Sequence, residues 1–210
     1  MYEQISPNIF NCQTCPTRCD GVSKEKYFFE KDSAFSEKYE QQLIEYINQY
    51  TPFSAVKTEQ EGYPDIEVFN KGESNPALYL EIKVQRRTFM GVEKILPDSG
   101  LKPSETLALN LSDLLRYFKL QENTEVPVFI MWCLLNRPCI NGKDDVKYFY
   151  QSVNLLKPVY EEALDKRRFR RESGLGDVVD CEHKGVVVNY HFSINELKEW
   201  KPENASPFGT

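Results

Sequence analysis

An acid and an amine stand two residues apart inside an otherwise apolar run, Leu78-Tyr79-Leu80-Glu81-Ile82-Lys83-Val84. If the run is a strand, Glu81 and Lys83 share one face, while Leu80, Ile82 and Val84 take the other. Such a pair is either a surface ion pair, worth at most about 1 kcal/mol, or the floor of a site. Just upstream, Pro64-Asp65 opens a short alternating segment over 65–69, followed by the turn cluster Asn70-Lys71-Gly72-Glu73-Ser74-Asn75-Pro76. The two runs therefore read as a hairpin that brings Asp65 beside Glu81. Two carboxylates held close repel each other unless a divalent cation sits between them, and their oxygens suit a hard ion, Mg²⁺ or Mn²⁺. On a helical wheel over 33–50, Glu40 falls next to the apolar arc, nearer than Glu37 or Glu45, and should lean toward the sheet.

The elements that must position these groups can be read from periodicity. Phe35, Tyr39, Leu43, Tyr46, Ile47 and Tyr50 predict a helix over 33–50, with Ser33 as its N-cap and Pro52 closing it. The hairpin strands follow at 65–69 and 77–84. Leu107, Leu111, Leu114, Leu115 and Phe118 predict a second amphipathic helix, and the unbroken apolar run 126–135 predicts a strand buried on both faces. A third helix is expected over 145–171 with a pause at Pro158, then a strand over 186–192 and a short helix over 193–200. Early antiparallel pairing followed by crossover helices points to an α/β sheet covered on both sides.

Pro64-Asp65, fifteen residues, then Glu81-Ile82-Lys83 with Gln85 following and the helical Glu40 upstream resembles the PD-(D/E)XK nuclease superfamily, in the variants that read E-x-K-x-Q. The letters recur elsewhere, as Pro97-Asp98 and as the triplets at 145–147, 182–184 and 196–198. Only Glu81-Ile82-Lys83 ends an apolar strand one hairpin after its Pro-Asp. The resemblance implies a restriction-endonuclease-like mixed β-sheet flanked by helices, with a core of helix, three-stranded meander, helix and strand over about 33–135. It also implies Mg²⁺-dependent hydrolysis of DNA phosphodiester bonds. Asp65, Glu81 and the Ile82 carbonyl would hold the ion, which polarises the phosphate and lowers the pKa of a bound water. Lys83 would position or deprotonate that water and offset charge in the transition state. Glu40 would reach a second ion or an ordered water, and Gln85 would orient Lys83 or a phosphate.

Cys12, Cys15 and Cys19 crowd into eight residues, a spacing at which one knuckle can present three thiolates to one ion. A structural Zn²⁺ needs a fourth ligand, for which Cys181 or His183 is the candidate. A 4Fe-4S cluster on the four cysteines and three unligated thiols are the alternatives. Cys133 reads as a small buried hydrophobe and His191 as structural. Lys166, Arg167, Arg168, Arg170 and Arg171 surround Phe169, either as a solvated helix end or as a phosphate contact that Arg86 and Arg87 would extend.

The 210 residues are 40% hydrophobic and 13% aromatic, enough for a real core and too aromatic for a disordered chain. A net charge of −6 excludes a uniformly basic nucleic-acid coat but not a local patch. No membrane span and no secretory signal is visible, so a cytoplasmic protein is expected. The organisation expected is a cysteine-rich arm at 1–32, a nuclease-like domain at 33–200 and a tail at 201–210. The function expected is an endonuclease in restriction, mobile-element or repair biology, with DNA as partner and a homodimer where both strands are cut. The alternative is a non-catalytic nucleic-acid-binding or assembly module on the same fold.

Overall fold

Leu43, Ile44 and Ile47 recur at helical spacing, and they are the apolar residues that α1 (Phe29–Tyr50) buries among its described side chains. In the computed structural model, residues 29–86, 88–135, 137–141, 146–170, 178–179, 182–183 and 188–201 are described. After α1, the strands β1 (Phe53–Lys57), β2 (Ile66–Asn70) and β3 (Pro76–Gln85) form an antiparallel meander. The one-turn helix α2 (Val92–Ile95) lies in the loop leading to β4 (Thr106–Asn110), which runs directly into α3 (Leu111–Glu122). Next come β5 (Val128–Leu134), parallel to β3, the short α4 (Pro138–Asn141), and β6 (Lys147–Ser152), antiparallel to β5. The helix α5 (Val153–Ala163) and the strands β7 (Arg168–Arg170), β8 (Val178–Val179), β9 (Glu182–His183), β10 (Val188–Ser193) and β11 (Lys198–Trp200) complete the order.

The main sheet has the order β1-β2-β3-β5-β6-β11, and a smaller sheet, β4-β10-β7, lies beside it. β5 sits in the interior of the main sheet, which is why its sequence is continuously apolar. Its Met131 and Cys133 join Leu78, Leu80 and Ile82 of β3 under α1. Its Ile130, Trp132 and Leu134 face the opposite way, against Leu114, Tyr117 and Phe118 of α3 and Phe192 of β10. A mixed sheet flanked by helices on both faces is thus present. Helix, meander, helix and parallel strand succeed one another in the order that the core expected from sequence requires.

Four expectations are corrected. Ser33 is no N-cap, because α1 is already helical at Phe29. Leu107 belongs to β4, not to a helix: Thr106-Leu107-Ala108-Leu109-Asn110 alternates, pairs with β10, and buries Leu107 and Leu109. The helix begins only where the Asn110 side chain accepts the Ser112 amide, at 3.2 Å. The helix expected over 145–171 is largely replaced. Tyr148, Phe149 and Tyr150 make β6, α5 starts at Val153 with Pro158 inside it, and Arg168–Arg170 is strand. The final helix over 193–200 is replaced as well. The Ser193/Glu196 capping box opens only the 3-10 turn Ile194–Glu196, and β11 then closes the sheet edge on β6. β1, unread in the sequence, fills the opposite edge.

The two sheets are joined through side chains. Gln85, the last residue of β3, donates through Nε2 to the Thr106 carbonyl at 3.1 Å and accepts the Ala108 amide at 2.9 Å. Trp132 Nε1 donates to the Ala108 carbonyl at 3.0 Å. The fully buried Arg137 reaches the Ser104 and Thr106 carbonyls at 2.8 and 2.7 Å. Replacing Gln85 by Leu leaves the Ala108 amide unpartnered in a half-buried setting, so it should cost about 1–3 kcal/mol. Urea unfolding checks this as a lower midpoint with an unchanged slope.

Candidate active site

Strand alternation sends Tyr79, Glu81, Lys83 and Gln85 to the α3 side of β3. The β2–β3 ladder pairs Ile66 with Leu80, so the next step sets Asp65 opposite Glu81. Ile66 is buried under α1, and Asp65, one residue earlier, points to the side that Glu81 shares. Its Oδ2 accepts the Ile82 amide at 2.8 Å. The predicted juxtaposition of Asp65, Glu81 and Lys83 is present.

Glu81 is only 2% exposed, and both of its oxygens are engaged. Lys83 Nζ lies 2.5 Å from Oε1, and the Tyr117 hydroxyl donates to Oε2. Lys83 also faces Asp113 Oδ2 at 3.6 Å. Asp113 Oδ1 accepts Arg116 Nη2 at 2.9 Å, and the same Nη2 donates to the Tyr117 hydroxyl at 3.3 Å. Glu81, Lys83, Asp113, Arg116 and Tyr117 therefore form a closed ring of alternating charge and hydrogen bonds. Burial by itself would lower the Lys83 pKa, but Glu81, then Asp113 and Asp65, outweigh it and hold the group above the ordinary lysine range. Lys83 is an ammonium ion. Burial, with Glu81 adding, likewise holds the Tyr117 phenol well above its usual range. The Asp65 carboxyl is raised too, up to about 7, by burial first and the Glu81 charge second.

Glu40 approaches from the other face of the sheet, on α1. Its carboxylate pairs with Lys57, the last residue of β1, at 3.5 Å. Its pKa is raised by burial first, against the pull of Lys57, with the Glu81 charge adding to the rise, and its own charge adds to the rise at Asp65. The helical-wheel expectation that Glu40 leans inward agrees with its burial. Gln85 faces the same side as Glu81 and Lys83, where both ends of its amide meet the β4 backbone.

The remaining sequence candidates are scattered. In the basic run, Arg167 is bound to Glu196 at 2.6 Å and Arg168 to Asp165 at 3.3 Å, while Lys166, Arg168 and Arg170 are exposed. Of the two readings of this run, the solvated helix end does not hold, because a 3-10 turn and β7 stand in place of a helix end. Arg86 lies over the Phe35 ring of α1 at 4.3 Å. His191 is buried, shares Nδ1 with the Arg167 carbonyl at 3.2 Å, and is kept neutral by burial, its pKa pushed down to about 4. Cys133 is a fully buried free thiol raised by burial to about 12. Cys12, Cys15, Cys19, Cys181, Arg87, Arg171 and the His183 side chain lie outside the described residues. Among the described residues, no group of three or more His, Cys, Asp or Glu side chains is placed to hold a metal ion.

Asp113, Arg116 and Tyr117 are the site residues that sequence reasoning missed. Their one signal was spacing: at i, i+3 and i+4 on a helix, three polar residues share a face. Nothing in the sequence showed that this face turns toward Glu81.

No protein-family model matches the chain, and no curated protein does. Among solved structures the chain is similar to Hjc, a Holliday junction resolvase from the archaeal hyperthermophile Archaeoglobus fulgidus. The identity is 14% and the TM-score 0.35, over 57% of this chain and 78% of that one. No helix among the described residues is long and apolar enough to cross a membrane.

Asp65 gives the site a pH signature. Its folded pKa of about 7 stands above the ordinary 3.8, so the folded state holds this proton more tightly than the unfolded state does. Its contribution to stability is therefore full at acid pH and declines as pH rises from about 4 to about 7. In EDTA-treated protein, Asp65→Asn should flatten the fall in stability across that window, and equal slopes for the two proteins would contradict it.

Proposed function

We propose that the chain is a Mg²⁺-dependent endonuclease that hydrolyses phosphodiester bonds in DNA. The observation that carries this reading is the placement of Asp65 and Glu81 side by side, with the Lys83 ammonium against them. Asp65, Glu81 and the Ile82 carbonyl would offer an all-oxygen donor set of the hardness Mg²⁺ prefers. Burial first and the Glu81 charge second raise the Asp65 pKa, and a divalent cation beside the two carboxylates would offset that second cause. Each carboxylate oxygen that accepts one hydrogen bond keeps a second lone pair for an ion. When bound, the ion supplies Lewis-acid polarisation of the phosphate and an activated water.

The chain's own groups do the rest. Lys83, held as an ammonium by Glu81 and Asp113, serves as a cation that positions the attacked phosphate and offsets its developing charge, and it takes no proton. Tyr117 and Lys83 fix the Glu81 carboxylate in one orientation. Glu40, at the α1 edge, orients water or a second ion. The exposed Lys166, Arg168 and Arg170, together with Arg86, supply sequence-independent phosphate contacts. In the arm, thiolates at 12, 15 and 19 with Cys181 or His183 would suit a structural Zn²⁺.

One feature favours a second reading, a non-catalytic nucleic-acid-binding module: both Glu81 oxygens are already satisfied within the protein. Plasmid nicking separates the two. The nuclease reading predicts relaxed or linear product with Mg²⁺, none with EDTA, and a loss of about a hundredfold or more in Lys83→Ala. Binding without product in Mg²⁺ would favour the module, and product that persists in Lys83→Ala would contradict the assigned site.

A further inference from the structure

The guanidinium of Arg116 is anchored but not used up. Its Nη2 is held by Asp113 and the Tyr117 hydroxyl, while Nε and Nη1 donate to nothing among the described residues. The side chain is 44% exposed. Its guanidinium carbon lies 5.1 Å from the Tyr117 ring centroid, and an arginine fixed at one nitrogen with donors to spare on a part-exposed side chain is preorganised for a phosphate.

The loop between β1 and β2 passes directly over it. Gly62 has φ +84°, and a Cβ there would stand 3.7 Å from Arg116 Cδ. The Tyr63 amide donates back to the Gln60 carbonyl at 3.3 Å, so this turn fixes where Tyr63 sits. The Tyr63 ring packs edge-on against Tyr79, with centroids 5.2 Å apart and planes at 73°. Tyr79 packs against the apolar core around α3 and β5, whereas Tyr63 joins no apolar cluster among the described residues. Tyr79 lies one strand repeat from Glu81 on the same face, about 6.6 Å away, and Tyr63 is two residues from Asp65. A half-buried ring and a preorganised cation therefore flank the carboxylates on one side.

We propose that Tyr63, backed by Tyr79, and Arg116 form a subsite for the unpaired nucleotide next to the scissile phosphate, with the base on the ring and its phosphate on the guanidinium. The substrate class is then single-stranded nucleic acid, or the single-stranded arm of a duplex. Within a duplex both faces of each base are covered by its neighbours, so a fixed ring can stack only on a base that is free. The location beside a scissile phosphate rests on the nuclease reading, but binding to the subsite can be measured without hydrolysis.

The test uses the full chain in Ca²⁺, with fluorescence anisotropy on three labelled probes: a 20-nucleotide dT single strand, a blunt 20-bp duplex, and the same duplex with splayed dT arms. The single strand and splayed probe should bind more tightly than the blunt duplex. Tyr63→Ala should weaken the first two about tenfold and leave the blunt duplex unchanged, and Tyr63→Phe should restore binding. Arg116→Ala should weaken the single strand and lower its salt slope by about one. Thermal melting of the variants checks that they fold, and the Phe variant keeps the test valid if the Ala variant does not. Equal loss on all three probes, blunt-duplex binding as tight as single-strand binding, or no binding to any probe would overturn the subsite. The nuclease reading is judged separately, by hydrolysis in Mg²⁺, so the two can fail independently.

Discussion

Glu81 places a carboxylate in the interior of a six-stranded sheet, where an unpaired charge would cost several kcal/mol. Four polar side chains are arranged around this constraint. Lys83 meets one oxygen from the same strand, and Tyr117 meets the other from α3. Lys83 is in turn shared with Asp113, and Asp113 and Tyr117 share Arg116. The ring closes on itself, so no member of it is left as an isolated buried charge.

The topology follows from the same requirement. β3 is parallel to β5, so the chain must cross over between them, and α3 is the helix of that crossover. Leu114 and Phe118 bury the helix against β5, and the i, i+3, i+4 face beside them turns Asp113, Arg116 and Tyr117 toward β3. β4 leads straight into α3 and is anchored to the main sheet by Gln85, Trp132 and Arg137, which sets the start of the helix. On the opposite face, α1 covers the apolar residues of β2 and β3 and brings Glu40 to the edge of the site. The sheet thus offers an apolar face to α1 and, along β3, a polar face to α3.

How much of this was legible depended on whether the signal was local. Glu81 and Lys83 stood out because charges interrupt a strand, and Asp65 followed because a hairpin fixes its own register over a few residues. The long apolar run of β5 announced a buried strand for the same reason. Leu107 misled because a residue four before Leu111 fits a helical period as well as a strand alternation, and only pairing with β10 decides between them. Tyr148-Phe149-Tyr150 was absorbed into a helix because its strand character depends on β5 lying beside it. The α3 side of the site was illegible in principle: Asp113, Arg116 and Tyr117 look like an ordinary solvated helix face until the crossover turns them inward.

The central claim is that the buried Glu81 and the partly exposed Lys83 are a mutually dependent pair, not two independent surface charges. A double-mutant cycle on unfolding free energy, with Lys83→Met, Glu81→Leu and the two combined, measures that dependence directly. Lys83→Met alone should cost about 3–5 kcal/mol, because it strands the Glu81 charge. The combined variant should then be more stable than the sum of the single changes predicts, by about 2 kcal/mol. Costs that add to within about 0.5 kcal/mol would contradict the account.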